Sequence, residues 1–186
     1  MTARSGAFAA LALVLAACAA HPATLPRMDK VELPRFMGDW YVIAHVPSWP
    51  ERHAHNAIES YVLDADGTIR TTFRYRKTPD GPLKVMRPKG WAVPGTGDTV
   101  WGMQFIWPIR AEYVIAYVDA DYQETIVARS KRDYAWIMAR TPTLPPERYE
   151  ALLARLLALG YKPEDVRKVP QAWPEAGFPA GREPVR

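Results

Sequence analysis

The central part of the chain alternates apolar and polar positions with a period of two. The segment 68–77 shows the pattern most clearly, because Ile69, Phe73 and Tyr75 face one way while arginines and a threonine occupy the positions between. This period is typical of a half-buried β-strand. Strands are predicted for the following segments: 38–46, 57–64, 68–77, 83–93, 98–107, 112–119, 124–129 and 133–140.

Short turn signals separate several of these segments. Asp64-Ala65-Asp66-Gly67 and Thr78-Pro79-Asp80-Gly81 combine residues that favour tight turns. Because each predicted strand closely follows its predecessor, an antiparallel meander is favoured over crossover connections.

One segment near the C-terminus has helical periodicity. Thr143 is the predicted N-cap, Pro145 and Pro146 suit the first turn, and Gly160 ends the helix. A leucine stripe faces one side: Leu152, Leu153, Leu156, Leu157 and Leu159. A short last strand is predicted over 165–169. The pattern fits an all-β, eight-stranded up-and-down barrel with one outer helix, and a two-sheet sandwich is the alternative that strand spacing leaves open.

The N-terminus predicts a cleaved leader over 1–17. Arg4 precedes an apolar run, 7–17, which has the length of a secretory signal and is too short to cross a bilayer. Leu15-Ala16-Ala17-Cys18 resembles a bacterial lipobox. The resemblance implies cleavage before Cys18, acylation of its thiol, and anchoring on the periplasmic face of the outer membrane.

The remaining chain divides by composition. Prolines and the lack of periodicity predict a lipidated tether over 18–35 and a flexible tail over 174–186, which leaves 36–173 for the barrel. Among 186 residues, 24 Lys+Arg against 20 Asp+Glu give a net charge of only +4. No nucleic-acid partner and no cofactor are expected, and a homodimer is left open. A single cysteine excludes a disulfide framework and a cysteine-built zinc site.

Residues suited to metal binding or catalysis form no recognised motif. His45, His53 and His55 are predicted to be surface or loop histidines rather than metal ligands. The candidate acid–base groups are scattered along the sequence and do not pair: Glu51, Glu59, Asp98 and Glu112. The sequence therefore predicts a protein that is not an enzyme.

Three short motifs resemble those of the bacterial lipocalins and their apolipoprotein D relatives. Gly38-Asp39-Trp40-Tyr41 opens the first strand, Lys131-Arg132-Asp133-Tyr134 precedes the eighth, and Arg140 ends it. The resemblance covers residues 36 to about 170. It implies that Gly38, Trp40, Asp133 and Arg140 determine the fold, with Trp40 closing the barrel and Arg140 stacking on its indole.

Strand parity and the resemblance together predict a lined cavity. Its candidate ligand-binding residues are Val42, Ala44, Phe73, Tyr75, Trp101, Met103, Phe105, Tyr113, Tyr134, Trp136 and Met138. The resemblance implies fatty acids or lysophospholipids as ligands. Cations near the mouth would attract an acidic headgroup: Arg74, Arg76, Lys77 and Arg110.

The expected function is that of a membrane-anchored protein that reversibly holds such lipids for envelope transport, storage or maintenance. Two alternatives stay open. One is an enzyme acting on a hydrophobic substrate in the same cavity, and the other is a structural lipoprotein whose barrel is filled by its own side chains.

Overall fold

The computed structural model describes residues 24–175. Its helices are α1 (Leu33–Phe36) and α2 (Pro146–Ala158), with short 3-10 turns at Trp49–Glu51 and Pro163–Asp165. Its strands are β1 (Gly38–Val46), β2 (His55–Leu63), β3 (Ile69–Arg76), β4 (Lys84–Met86), β5 (Lys89–Ala92), β6 (Val100–Ile106), β7 (Ile109–Val118), β8 (Glu124–Ala128), β9 (Ala135–Ala139) and β10 (Arg167–Lys168). The predicted leader, Cys18 and most of the predicted tail lie outside this range. Within it, no helix is long and apolar enough to cross a membrane.

The strands form a closed antiparallel barrel. The pairing order is β1-β2-β3-β5-β6-β7-β8-β9, and β9 returns to pair with β1, which closes the sheet and excludes the sandwich. Strands β4 and β5 share the fourth of eight barrel positions, since both pair with β3. The predicted strand 83–93 is divided there because Pro88 cannot donate a ladder hydrogen bond. The eight-stranded barrel with one C-terminal helix is confirmed.

Strand β1 changes partners along its length. It pairs with β2 up to Tyr41, whereas its later residues pair with β10. The Gln171 side chain spans the gap by donating to the carbonyl oxygens of Val42 and Ala57, at 2.8 and 3.1 Å. The predicted last strand therefore completes the barrel wall.

The packed unit extends beyond the predicted boundaries. Leu25 and Val31, inside the predicted tether, are buried, and the Val31 N–H donates to the Gly97 carbonyl at 2.8 Å. At the other end, the Glu175 carboxylate pairs with Arg76. Proline content indicated loose segments, but buried apolar side chains attach the described part of the first to the barrel, and the ion pair of Glu175 with Arg76 attaches the described part of the second.

Helix α2 covers the outside of the barrel. Tyr149, Leu152 and Leu156 are buried in a cluster with outward-facing side chains of β7, β8 and β9. The prediction that Thr143 is the N-cap was wrong, because Pro145 occupies the N-cap position and no side chain caps the helix. Two prolines at the start replace the cap because proline has no N–H that needs a partner.

The closed end of the barrel carries the predicted motif geometry. Trp40 is fully buried, its Nε1 donates to the Phe36 carbonyl at 2.8 Å, and the Arg140 guanidinium lies 3.7 Å from the centre of its ring system. Arg140 also donates to main-chain carbonyls of α1, β1 and the β7–β8 turn. Gly38 has φ +94°, and a Cβ there would lie 3.3 Å from Arg140 Nη1, so glycine suits the position. Asp133 lies elsewhere, in the β8–β9 turn, paired with Arg129 at 3.0 Å.

Candidate functional site

The open half of the barrel contains a cavity of about 340 Å³. This is near the lower limit for small-molecule sites. Its walls come from β2, β3, β4, β6, β7 and β9, and the 3-10 turn Trp49–Glu51 lies against it. Because most lining side chains are apolar or aromatic, the cavity suits a small hydrophobic ligand.

Parity identified many of the lining side chains. The cavity is bordered by these candidates: Phe73, Met103, Phe105, Tyr113, Tyr134 and Trp136. Val42, Tyr75, Trp101 and Met138 belong to the same inner core but do not line the cavity. Parity indicates the face of a strand but not the depth to which neighbouring side chains fill the barrel. That the lining residues bind a ligand stays a prediction.

Ala44 faces outward, which corrects the prediction that it lines the cavity. A bulge between Val42 and Ala44 shifts the register of β1 against β9. Ala44 therefore pairs with Ile137 in the outer cluster, while His45 pairs with Trp136 and shares its inner face.

His45 is buried, contrary to the prediction of a surface or loop histidine. Burial, with a smaller contribution from the charge of Arg167, lowers the pKa of His45 to about 4. Its Nδ1 has no hydrogen-bond partner in the described structure. No group of three potential ligating residues within 24–175 could hold a metal ion.

Three acidic residues that look scattered in sequence meet at the cavity. Glu51, Glu59 and Glu112 all line it, whereas Asp98 lies near the closed end, where its carbonyl accepts a bond from Trp101 Nε1. The sequence contains no recognisable pair of these residues, but the fold brings three of them to one cavity. Strand parity could have placed Glu59 on the inner face of β2 together with Tyr61. Glu51 comes from a turn that carries no periodic signal.

Glu59 is the most deeply buried of these carboxyl groups. Tyr61 donates its hydroxyl proton to Oε2 of Glu59, and the hydroxyls of Tyr61 and Tyr113 lie 2.5 Å apart. Burial, with a smaller contribution from the nearby Glu51, raises the pKa of Glu59 to about 7 against the lowering effect of the Tyr61 bond. Near neutral pH, Glu59 therefore holds a proton part of the time.

Glu51 closes one side of the cavity. Ser48 Oγ donates to its Oε1 at 2.5 Å, and Trp136 Nε1 donates to its Oε2 at 3.2 Å. Burial raises the pKa of Glu51 despite these two bonds. The turn that bears Glu51 is thus tied to a cavity-lining indole.

Arg129 is the cation that borders the cavity. Its Nη1 pairs with Asp133, its guanidinium lies 5.1 Å from the Tyr134 ring centre, and its buried Nε has no hydrogen-bond partner in the described structure. The predicted mouth cations line no part of the cavity: Arg74, Arg76, Lys77 and Arg110. Arg110, for example, lies over Trp91 at 4.3 Å from the ring centre. The Arg129-Ser130-Lys131 turn had offered no signal beyond charge.

Comparisons with known proteins agree with this architecture. The chain is 27% identical to temperature-induced lipocalin-1 of Arabidopsis thaliana, covering 74% of this chain and 78% of the relative. It is 25% identical to the outer membrane lipoprotein Blc of Escherichia coli K12, covering 80% and 85%. Insecticyanin from the tobacco hornworm Manduca sexta superposes with a TM-score of 0.61 at 17% identity, covering 84% and 87%. A family model described as a lipocalin-like domain matches residues 31–171. The chain therefore belongs to the lipocalin-like family.

Proposed function

We propose that this protein reversibly holds a single-chain lipid, either a fatty acid or a lysophospholipid, in the cavity of its barrel. The supporting observation is that the open half of the barrel keeps about 340 Å³ of space between apolar walls while the closed half is packed. Each methylene transferred from water into such a space contributes about 0.8 kcal/mol. An acyl chain therefore gains affinity without specific polar contacts.

The position of Arg129 favours a lipid that has an anionic headgroup. Arg129 lines the cavity together with Tyr134, and its buried Nε has no hydrogen-bond partner among the described residues. A carboxylate or phosphate oxygen would give this N–H a charge-assisted hydrogen bond, which is stronger than a bond to a neutral group. The headgroup then remains near the mouth while the chain occupies the interior.

A place in the cell envelope agrees with the relatives. The Escherichia coli and Vibrio cholerae relatives are named outer membrane lipoproteins. Acylation of Cys18 would tether this chain similarly, and two or more acyl chains anchor stably where one does not. Transport, storage or maintenance of envelope lipids is the proposed physiological role.

Titration of the purified protein with dodecanoate and with a lysophospholipid tests the proposal. Trp49 and Trp136 line the cavity, so we expect saturable quenching of tryptophan fluorescence, with part of the change lost in Trp136→Phe. Calorimetry on the same variant separates loss of signal from loss of binding. No saturable heat with any chain length would refute lipid binding and favour the structural alternative.

The enzyme alternative retains one supporting observation. Glu59 has a pKa near 7 inside a cavity, which is a property shared by many general acids and bases. Mass spectrometry of lipid and oxidised-lipid substrates after long incubation tests this alternative. Conversion that is lost in Glu59→Gln would favour catalysis over carriage.

A further inference from the structure

The deep end of the cavity is polar. Glu59, Thr71 and Tyr113, here called the floor, line it next to the packed closed half. Thr71 is directly paired with Tyr61, and Tyr113 stacks on Trp101 with ring centres 5.1 Å apart. Neither Tyr61 nor Trp101 lines the cavity, so the floor lies where the open space ends.

The floor has hydrogen-bonding capacity that the described residues do not use. The Thr71 side chain is buried, and its Oγ1 has no hydrogen-bond partner. Oε2 of Glu59 accepts a hydrogen bond from the Tyr61 hydroxyl, while no described group donates to Oε1 of Glu59. Buried polar groups in folded proteins are rarely left without partners, so this pattern indicates a polar group that binds here.

Charged groups line the cavity at different depths. Arg129 lies near the β8–β9 turn at the open end, where Glu51 and Glu112 also line the cavity, whereas Glu59 is the carboxyl group of the floor. A carboxylate at the floor would be repelled by Glu59 when that group is ionised. A bare methyl group would leave Thr71 and Glu59 desolvated and unpaired.

We propose that the preferred ligand is an acyl chain that carries a hydroxyl group near the end remote from its anionic head. This inference rests on the proposed function. The hydroxyl donates to the Glu59 carboxyl group and accepts from the Thr71 hydroxyl, while the head lies beside Arg129. A hydroxyl satisfies both partners because it is both donor and acceptor.

Calorimetric titration with matched ligands tests the floor. The series comprises straight-chain alkanoic acids of increasing length, their ω-hydroxy counterparts and the corresponding dicarboxylic acids. At the length that reaches the floor, we expect the ω-hydroxy acid to bind about tenfold more tightly than the plain acid, as a net gain of one to two hydrogen bonds gives. The dicarboxylic acid should bind more weakly than both.

Two isosteric variants locate the effect. Thr71→Val should abolish the preference for the ω-hydroxy acid while the plain acid binds as well or better. Thr72→Val is the matched control on the same strand, because Thr72 does not line the cavity. If Thr71→Val does not fold, Glu59→Gln replaces it and should reduce the same preference.

The outcomes separate this inference from the function on which it rests. If plain acids bind and no ω-hydroxy acid binds more tightly at any length, the inference is wrong and lipid carriage stands; a water molecule would then satisfy the floor. If the preference persists unchanged in both Thr71→Val and Glu59→Gln, the floor is not its origin and the inference is also wrong. If no member of the series binds and the lysophospholipid does not bind either, the proposed function itself fails.

Discussion

The two halves of the barrel are built differently. In the closed half, Trp40 is fully buried and Arg140 joins three segments through main-chain carbonyls. In the open half, buried Thr71 and Arg129 atoms lack partners, and large apolar side chains such as Ile109 are exposed at the rim. The closed half is thus packed without a ligand, whereas the open half keeps a cavity that the proposed lipid would fill.

The largest expected effect comes from the closed half. Trp40→Ala should lower the free energy of unfolding by about 4 kcal/mol, because it removes a large buried ring and the surface on which Arg140 stacks. Urea unfolding measures the change. Trp91→Ala is the control: Trp91 is only partly buried on the wall and also lies under an arginine. Equal losses for the two variants would contradict the special role of the closed end.

Buried ionisable groups should give the open half a distinctive pH dependence. The pKa of Glu59 is raised from 4.5 to about 7, so its contribution to stability is full below pH 4.5 and is lost as the pH rises through 7. The shift corresponds to about 3 kcal/mol. The free energy of unfolding of Glu59→Gln minus that of the wild type should therefore rise by about this amount from below pH 4.5 to above pH 7.

His45 provides the opposite test. Its pKa is lowered from 6.5 to about 4, so its contribution is full above pH 6.5 and is lost as the pH falls through 4. The free energy of unfolding of His45→Gln minus that of the wild type should consequently fall as the pH rises over this window. Because Glu59 and His45 change the stability in opposite directions as the pH rises, the pH profile of wild-type stability does not reveal either contribution.

A pH-independent difference in the free energy of unfolding between Glu59→Gln and the wild type would show that Glu59 is ionised as easily in the folded as in the unfolded chain.

The contrast between the halves also explains what the sequence could predict. The closed end was predictable because Trp40 and Arg140 stand in motifs, and β3 was predictable because its alternation is unbroken through Phe73. Ala44 was predicted on the wrong face of β1 because a bulge reverses the alternation of inward and outward side chains, and no residue there indicates a bulge. Glu51 was missed as a cavity residue because it lies in an aperiodic turn. Cavity depth depends on how side chains from many strands pack, which no single strand encodes.

A substitution in the wall of the cavity is expected to have a smaller effect, on ligand binding. Trp136→Ala should weaken binding of dodecanoate by about 2 kcal/mol, because the indole lines the cavity and Glu51 loses its Nε1 donor. Calorimetry gives the affinity, and urea unfolding should show a smaller loss than Trp40→Ala since the site already borders open space. Unchanged affinity would mean that the chain does not contact Trp136.

The smallest effect is expected for a substitution at the rim of the open half, on a strand that runs through both halves. Ile109 and Ile115 lie on β7; Ile109 is 68% exposed at the open end, whereas Ile115 is fully buried in the inner core. Replacing Ile109 with threonine keeps a β-branched side chain and should change the free energy of unfolding by less than about 0.5 kcal/mol. Ile115→Thr places a hydroxyl in the packed core and should cost about 2 kcal/mol or more. A comparable loss at Ile109 would show that the rim is packed in solution, and the open half would then need no ligand to complete it.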